Sequence, residues 1–203
     1  MTQKIGTYRE VSALIIFLVI LSLCSASTIR RNQLWSSEVI LWEDVVSKVP
    51  SSHRGYNNLG LSYAAAGMHE EAIEAFNKSI MRYPYPQAYN NLGREYFQKG
   101  LYSKAVDAFS AAVEIFPTFA EAHNNLGYIY YKLRLYDKSI DAFREAGRLK
   151  PALVQIDVNL GNVYRAKGEI DKAREQYLTA LSKDPGYALA RRNLNALMEK
   201  SGR

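Results

Sequence analysis

The chain has 203 residues, 26 Lys or Arg against 20 Asp or Glu, and one cysteine, Cys24. One cysteine excludes an intrachain disulfide or a cysteine metal cluster. From Ser51 to Arg203 the 21 basic and 16 acidic residues are spread evenly, with no basic block interleaved with aromatics, so nucleic acid is not an expected partner.

At the start of the chain, residues 1–10 form an N-terminal tail bearing Lys4 and Arg9. Residues 11–29 carry no charge and are centred on Leu14 to Leu21. As a helix they would reach about 28 Å at 1.5 Å per residue, enough to span a bilayer. The run is read as a single transmembrane helix. The competing reading is a cleaved signal peptide, with Lys4 and Arg9 as its basic region and Ser25-Ala26-Ser27 as small residues for cleavage. A lipoprotein signal at Cys24 is disfavoured by Leu23, where a small residue is needed. Arg30 and Arg31 balance Lys4 and Arg9, so the positive-inside rule gives no orientation.

Residues 30–50 are a junction whose phase is set by the repeats C-terminal to it. From residue 51 to residue 186 the dipeptide Leu-Gly recurs at Leu59-Gly60, Leu92-Gly93, Leu126-Gly127 and Leu160-Gly161, with glycine spacings of 33, 34 and 34. Three residues after each glycine stands an aromatic (Tyr63, Tyr96, Tyr130, Tyr164), and twelve after it a small residue (Ala72, Ala105, Ser139, Ala173). An aromatic stands at sixteen (Phe76, Phe109, Phe143, Tyr177), a small residue at nineteen (Ser79, Ala112, Ala146, Ala180) and a proline at twenty-four (Pro84, Pro117, Pro151, Pro185). Small residues let two helices approach closely while the aromatics fill the space between them. Each period is thus an antiparallel helix pair that cannot bury its apolar face alone and must stack on its neighbours. Gly67, Gly100 and Gly168 close the first helix of three repeats; Arg134 stands where a fourth glycine is expected. Residues 187–203 hold a capping helix and tail, with Leu189, Leu194 and Leu197 toward the last repeat and Arg191, Arg192, Asn195, Glu199 and Lys200 on a polar side.

At these marker positions, four times over, the sequence resembles the tetratricopeptide repeat. The resemblance implies an all-α fold, a right-handed superhelical solenoid of four repeats plus a C-terminal capping helix, after one N-terminal transmembrane helix. Counting back 34 from Pro84 reaches Pro50 and puts Trp42 and Val45 at the phase of Phe76 and Ser79, so the junction is expected to hold a half-repeat helix. The junction residues Arg31 to Trp35 and Leu41 to Asp44 are also similar to those after the last membrane span of transmembrane and tetratricopeptide-repeat O-mannosyltransferases and their bacterial relatives. That likeness implies repeats on the noncytoplasmic side; the catalytic membrane domain of those proteins has no counterpart here.

Two residues before each marker glycine stands an asparagine, Asn58, Asn91, Asn125 and Asn159, with Asn193 at the same phase in the cap. An amide offers one acceptor and two donors, so a row of them along a groove could pair with successive peptide groups of an extended chain. The ladder resembles that of O-linked N-acetylglucosamine transferase. The alternative is that these amides bond within or between helices. Further groove candidates are Arg54, Asn57, Asn90, Arg94, Phe97, Asn124, Tyr128, Tyr131, Lys132, Asn162, Arg165 and Arg192. With Glu121 the only acid counted among them, the groove carries a formal charge of +4 and favours acidic or carboxylate-bearing segments. Phe97 and Tyr131 are either packing or recognition residues.

His53, His69 and His123 fall at unrelated phases, His69 in a turn, and give no metal spacing. No phosphate loop, nucleophile elbow or paired-acid constellation appears. The expected role is therefore a membrane-anchored, noncatalytic scaffold with no cofactor, binding a protein or extended peptide. The alternative is a regulatory or substrate-docking piece of a membrane glycosyltransferase whose catalytic part lies on another chain.

Overall fold

The computed structural model describes residues 38–201, and the chain divides into two compact units, Met1–Ser51 and Ser52–Arg203. The uncharged run 11–29 and the Arg31 to Trp35 stretch lie outside the described residues. Among the described residues no helix is long and apolar enough to cross a membrane. The first unit contributes helix α1, Glu38–Lys48, which buries none of its residues completely and carries one ion pair along its surface, Lys48 Nζ to Asp44 at 2.6 Å.

The second unit is a row of helices in antiparallel pairs: α2 (His53–Ala65) with α3 (His69–Arg82), α4 (Pro86–Gln98) with α5 (Tyr102–Ile115), α6 (Ala120–Lys132) with α7 (Tyr136–Leu149), and α8 (Val154–Lys167) with α9 (Ile170–Lys183). Helix α10, Ala188–Ser201, packs on α9. Each second helix packs on the first helix of the next pair, and first helices of adjacent pairs also meet more extensively than second helices do. The row therefore curves with α2, α4, α6 and α8 on its inner side.

Local chemistry explains where the helices begin and end. Ser52 caps α2, its Oγ accepting from the Gly55 N–H at 3.0 Å, and Pro86 opens α4, where a missing N–H costs nothing. His69, expected in a turn, instead opens α3. All four first helices close alike: the N–H groups of Met68, Leu101, Leu135 and Glu169 reach back to the carbonyls of Tyr63, Tyr96, Tyr130 and Tyr164 at 2.8–2.9 Å. This closure needs a left-handed residue, supplied by Gly67, Gly100 and Gly168 at φ 75°, 72° and 89°. In the third pair Arg134 adopts φ 59°. The missing glycine leaves the turn geometry unchanged because the two flanking backbone hydrogen bonds and the packed helices hold it there.

Inside each pair the marker glycine lies flat against the aromatic sixteen residues on. A Cβ built on Gly60 would stand 2.6 Å from Phe76, and one on Gly93 or Gly127 would stand 2.7 Å from Phe109 or Phe143. Gly161 meets Tyr177 in the same way. The small residues at twelve and nineteen are fully buried and the aromatics at sixteen are at most 2 % exposed. Helix α10 closes the row, with Ala190 and Leu197 buried in the cluster that holds Tyr177 and Ala180, and Arg191, Arg192, Asn195 and Glu199 exposed. Along the edge formed by the turns within pairs, Lys99 pairs with Glu70 and Lys167 with Asp137. Each bridges adjacent repeats. The Lys99 hydrogen bond draws the Glu70 carboxyl below its ordinary range, and the hydrogen bonds to Asp137 and then Glu169 push the Lys167 ammonium above its own.

Candidate functional site: the inner face of the first helices

The asparagine ladder is a set of hydrogen bonds between repeats. Asn91 Nδ2 donates to Asn57 Oδ1 at 3.0 Å, Asn125 Nδ2 to Asn90 Oδ1 at 2.8 Å, and Asn159 Nδ2 to Asn124 Oδ1 at 3.2 Å. Each step joins the asparagine two before one marker glycine to the asparagine three before the preceding one. The last step changes partner because Val158 stands at that position in the fourth repeat. Asn193 Nδ2 donates instead to Asn162 Oδ1 at 3.0 Å, an atom that also accepts from the Tyr177 hydroxyl at 2.8 Å. Asn57 and Asn90 are 9 % and 2 % exposed. Both were candidates for peptide contact from their phase; their burial between helices gives their amides an inter-repeat role and leaves them almost no surface. At the first repeat Asn58 Oδ1 lies 3.5 Å from Asn57 Nδ2, and in the fourth Asn159 Oδ1 accepts from Gln155 at 2.9 Å.

Two recesses open on the inner face around α4. One, of about 300 Å³, is lined by Leu61, Ala64, His69, Asn91, Arg94 and Glu95 among others; the second, of about 190 Å³, is lined by Arg94, Phe97, Gln98, Phe109, Asn125 and Tyr128. Arg94 and Gln98 belong to both, so the recesses adjoin. The Phe97 ring sits 5.4 Å from Tyr128 and 5.6 Å from Tyr102, and Lys132 Nζ lies 5.3 Å over the Tyr128 ring. These are distances at which rings and cations attract through the ring quadrupole. Tyr131 packs beside Tyr136 at 6.4 Å. Of the remaining candidates, Arg54 and Arg165 are exposed and line neither recess. Arg192 lines a separate 480 Å³ recess on α10 with Arg191, Asn195 and Glu199.

The phase pattern missed one acid. Glu95 lines the recess of about 300 Å³, is 7 % exposed, and its Oε2 lies 2.7 Å from His69 Nδ1. Counting it beside Glu121 lowers the formal charge of the candidate groove residues from +4 to +3. Ser62, Ile129 and Val163 occupy the same phase in the other repeats, so nothing periodic marked this position; only the fold brings it to His69. A second acid, Asp157, is likewise 8 % exposed and paired, with Lys183 Nζ at 2.6 Å. Among the described residues, no group of three His, Cys, Asp or Glu side chains is arranged to hold a metal ion.

Two tetratricopeptide-repeat models match the chain, one over residues 53–85 and 120–151, the other over 93–133 and 161–202. No curated protein matches it. Among solved structures, MamA is 26 % identical over 74 % of this chain and 88 % of its own, with a TM-score of 0.69. YrrB, described as a TPR protein with an unusual peptide-binding site, is 21 % identical over 80 % of this chain and 84 % of its own, at 0.67. TTC0263, a thermophilic TPR protein of Thermus thermophilus, is 23 % identical over 79 % and 88 %, at 0.64. With the four closed helix pairs, the glycine-on-aromatic contacts and the matches to both models, the chain belongs to the tetratricopeptide-repeat family.

Proposed function

We propose that the chain is a noncatalytic scaffold, anchored to a membrane by residues 11–29, that binds an extended segment of a partner protein along the inner face of its first helices. The observation that carries this reading is the pair of adjoining recesses around Arg94, a concave site with convergent polar groups on the inner face of the solenoid. The YrrB description, a TPR protein with a peptide-binding site, supports the ligand class. The uncharged run supports the anchor, and the junction likeness at Leu41 to Asp44 supports repeats on the noncytoplasmic side.

The test uses full-length chain immobilised in detergent, with wild type compared against an Arg94→Glu, Lys132→Glu double variant. Partners captured from solubilised membranes by wild type should be lost by the variant at unchanged helical circular dichroism. Equal capture would move the binding surface off the inner face. Copurification of a membrane glycosyltransferase would favour the alternative of a docking subunit for that enzyme. For the anchor, full-length chain should stay with membranes through carbonate extraction; release with a new N-terminus near Thr28 would identify a processed signal.

A further inference from the structure

At the boundary of the second and third repeats the polarity of one amide is fixed without reference to hydrogen positions. Glu121 Oε1 lies 3.1 Å from Asn90 Nδ2. A carboxylate only accepts, so the Asn90 amide must turn its nitrogen to Glu121 and its oxygen to Asn125. The Asn125 amide must then turn its own nitrogen to Asn90, at 2.8 Å. Asn125 also lines the recess of about 190 Å³, and with its nitrogen engaged its oxygen is the acceptor this amide has to offer a ligand. What binds there has to donate, and a main-chain N–H is the donor every peptide carries.

Arg94 supplies the second determinant. It is exposed, lines both recesses and makes no ion pair with any described residue. Its neighbour Glu95 is turned to His69 and its side chain is 10 % exposed, so it leaves the guanidinium free. A guanidinium presents a planar fork matched to a carboxylate. The third determinant is the 190 Å³ recess itself, walled by the Phe97 and Tyr128 rings over Phe109, a volume on the scale of one large side chain. In an extended peptide, side chains two residues apart share a face about 6.6 Å apart, a spacing that lets one chain reach the recess and the guanidinium on its rim.

We infer that this boundary binds an extended peptide bearing an acidic residue two positions from an aromatic or branched aliphatic one. The carboxylate sits on Arg94, the apolar side chain enters the 190 Å³ recess beside the Phe97–Tyr128 ring pair, and a main-chain N–H donates to Asn125 Oδ1. The inference rests on the reading of the inner face as a peptide groove and adds the ligand's sequence.

The experiment presents a randomised seven-residue peptide library to the full-length chain in detergent micelles and sequences what is retained. The expected result is enrichment of Asp or Glu two positions from Phe, Tyr, Leu or Ile. A peptide so selected should lose at least tenfold in affinity with Arg94→Glu and with Tyr128→Ala, and stay within twofold with Lys78→Glu, a comparable charge reversal on the second helix α3. Selected peptides without that pairing, or affinity indifferent to Arg94→Glu, would overturn the inference while the groove reading stands. A library from which nothing is retained would overturn both.

Discussion

At Arg134 a side chain occupies a backbone conformation that three sibling repeats give to glycine. A non-glycine residue in the left-handed region crowds its Cβ against the following carbonyl, at about 1 to 2 kcal/mol. Glycine there would relieve this while raising the entropy of the unfolded chain. Arg134→Gly should therefore stabilise the protein by about 0.5 to 1 kcal/mol, read as a higher urea midpoint at unchanged slope. Tyr177 gives the opposite case, a residue whose burial should show in its titration. It is fully buried, donates to Asn162, and burial raises its phenol above the ordinary value. A folded-state pKa above the unfolded one means the stability is fully present below about pH 10 and is lost as pH rises through the folded value. Tyr177→Phe should cost about 0.5 to 1.5 kcal/mol at pH 7 for the lost hydrogen bond. The gap to wild type should narrow as pH rises past about 10, because only the wild type has this phenol to keep neutral.

The helix pair is the element in which sequence and structure agree most closely. Its glycine touches an aromatic ring, so the contact distance between two helices is written at two positions sixteen residues apart. Replacing Gly93 with leucine would drive a branched side chain into Phe109 and should cost about 1 to 3 kcal/mol as overpacking. An unchanged melting temperature would contradict the packing described. The turn at Arg134 shows that the pair also dictates its own closure: the two backbone hydrogen bonds form with or without glycine. The sequence pattern left that point open because a propensity describes a residue alone, whereas the packed helices over-determine its backbone.

Between elements, the amide ladder ties each repeat to the next, and its bonds were not legible in the sequence. A row of asparagines at one phase states only that their side chains share a face. Whether they reach outward to a ligand or sideways to the preceding repeat depends on the distance between first helices, which only stacking sets. Changing Asn91, Asn125 and Asn159 together to alanine removes three inter-repeat bonds and leaves the Asn90 oxygen, at 2 % exposure, without its donor. At about 0.5 to 1.5 kcal/mol per bond, the triple variant should lose roughly 2 to 4 kcal/mol. In a repeat array coupled through neighbour interfaces, that loss should broaden the unfolding transition as well as lower it. A narrow transition at the wild-type midpoint would show the ladder to be energetically silent.

For the whole molecule, the 34-residue period by itself determined the repeat number, the helix pairing, the marker core and the cap, because stacking identical pairs has one solution once the small and large positions are given. The acid at Glu95, the burial of Asn57 and Asn90 and the recesses flanking Arg94 were decided only by the tertiary structure. These features depend on side chains from different repeats meeting across 26 to 35 positions of sequence. Periodicity fixes what is common to the repeats; a site is made from what differs between them, and those differences acquire neighbours only when the first helices are brought side by side.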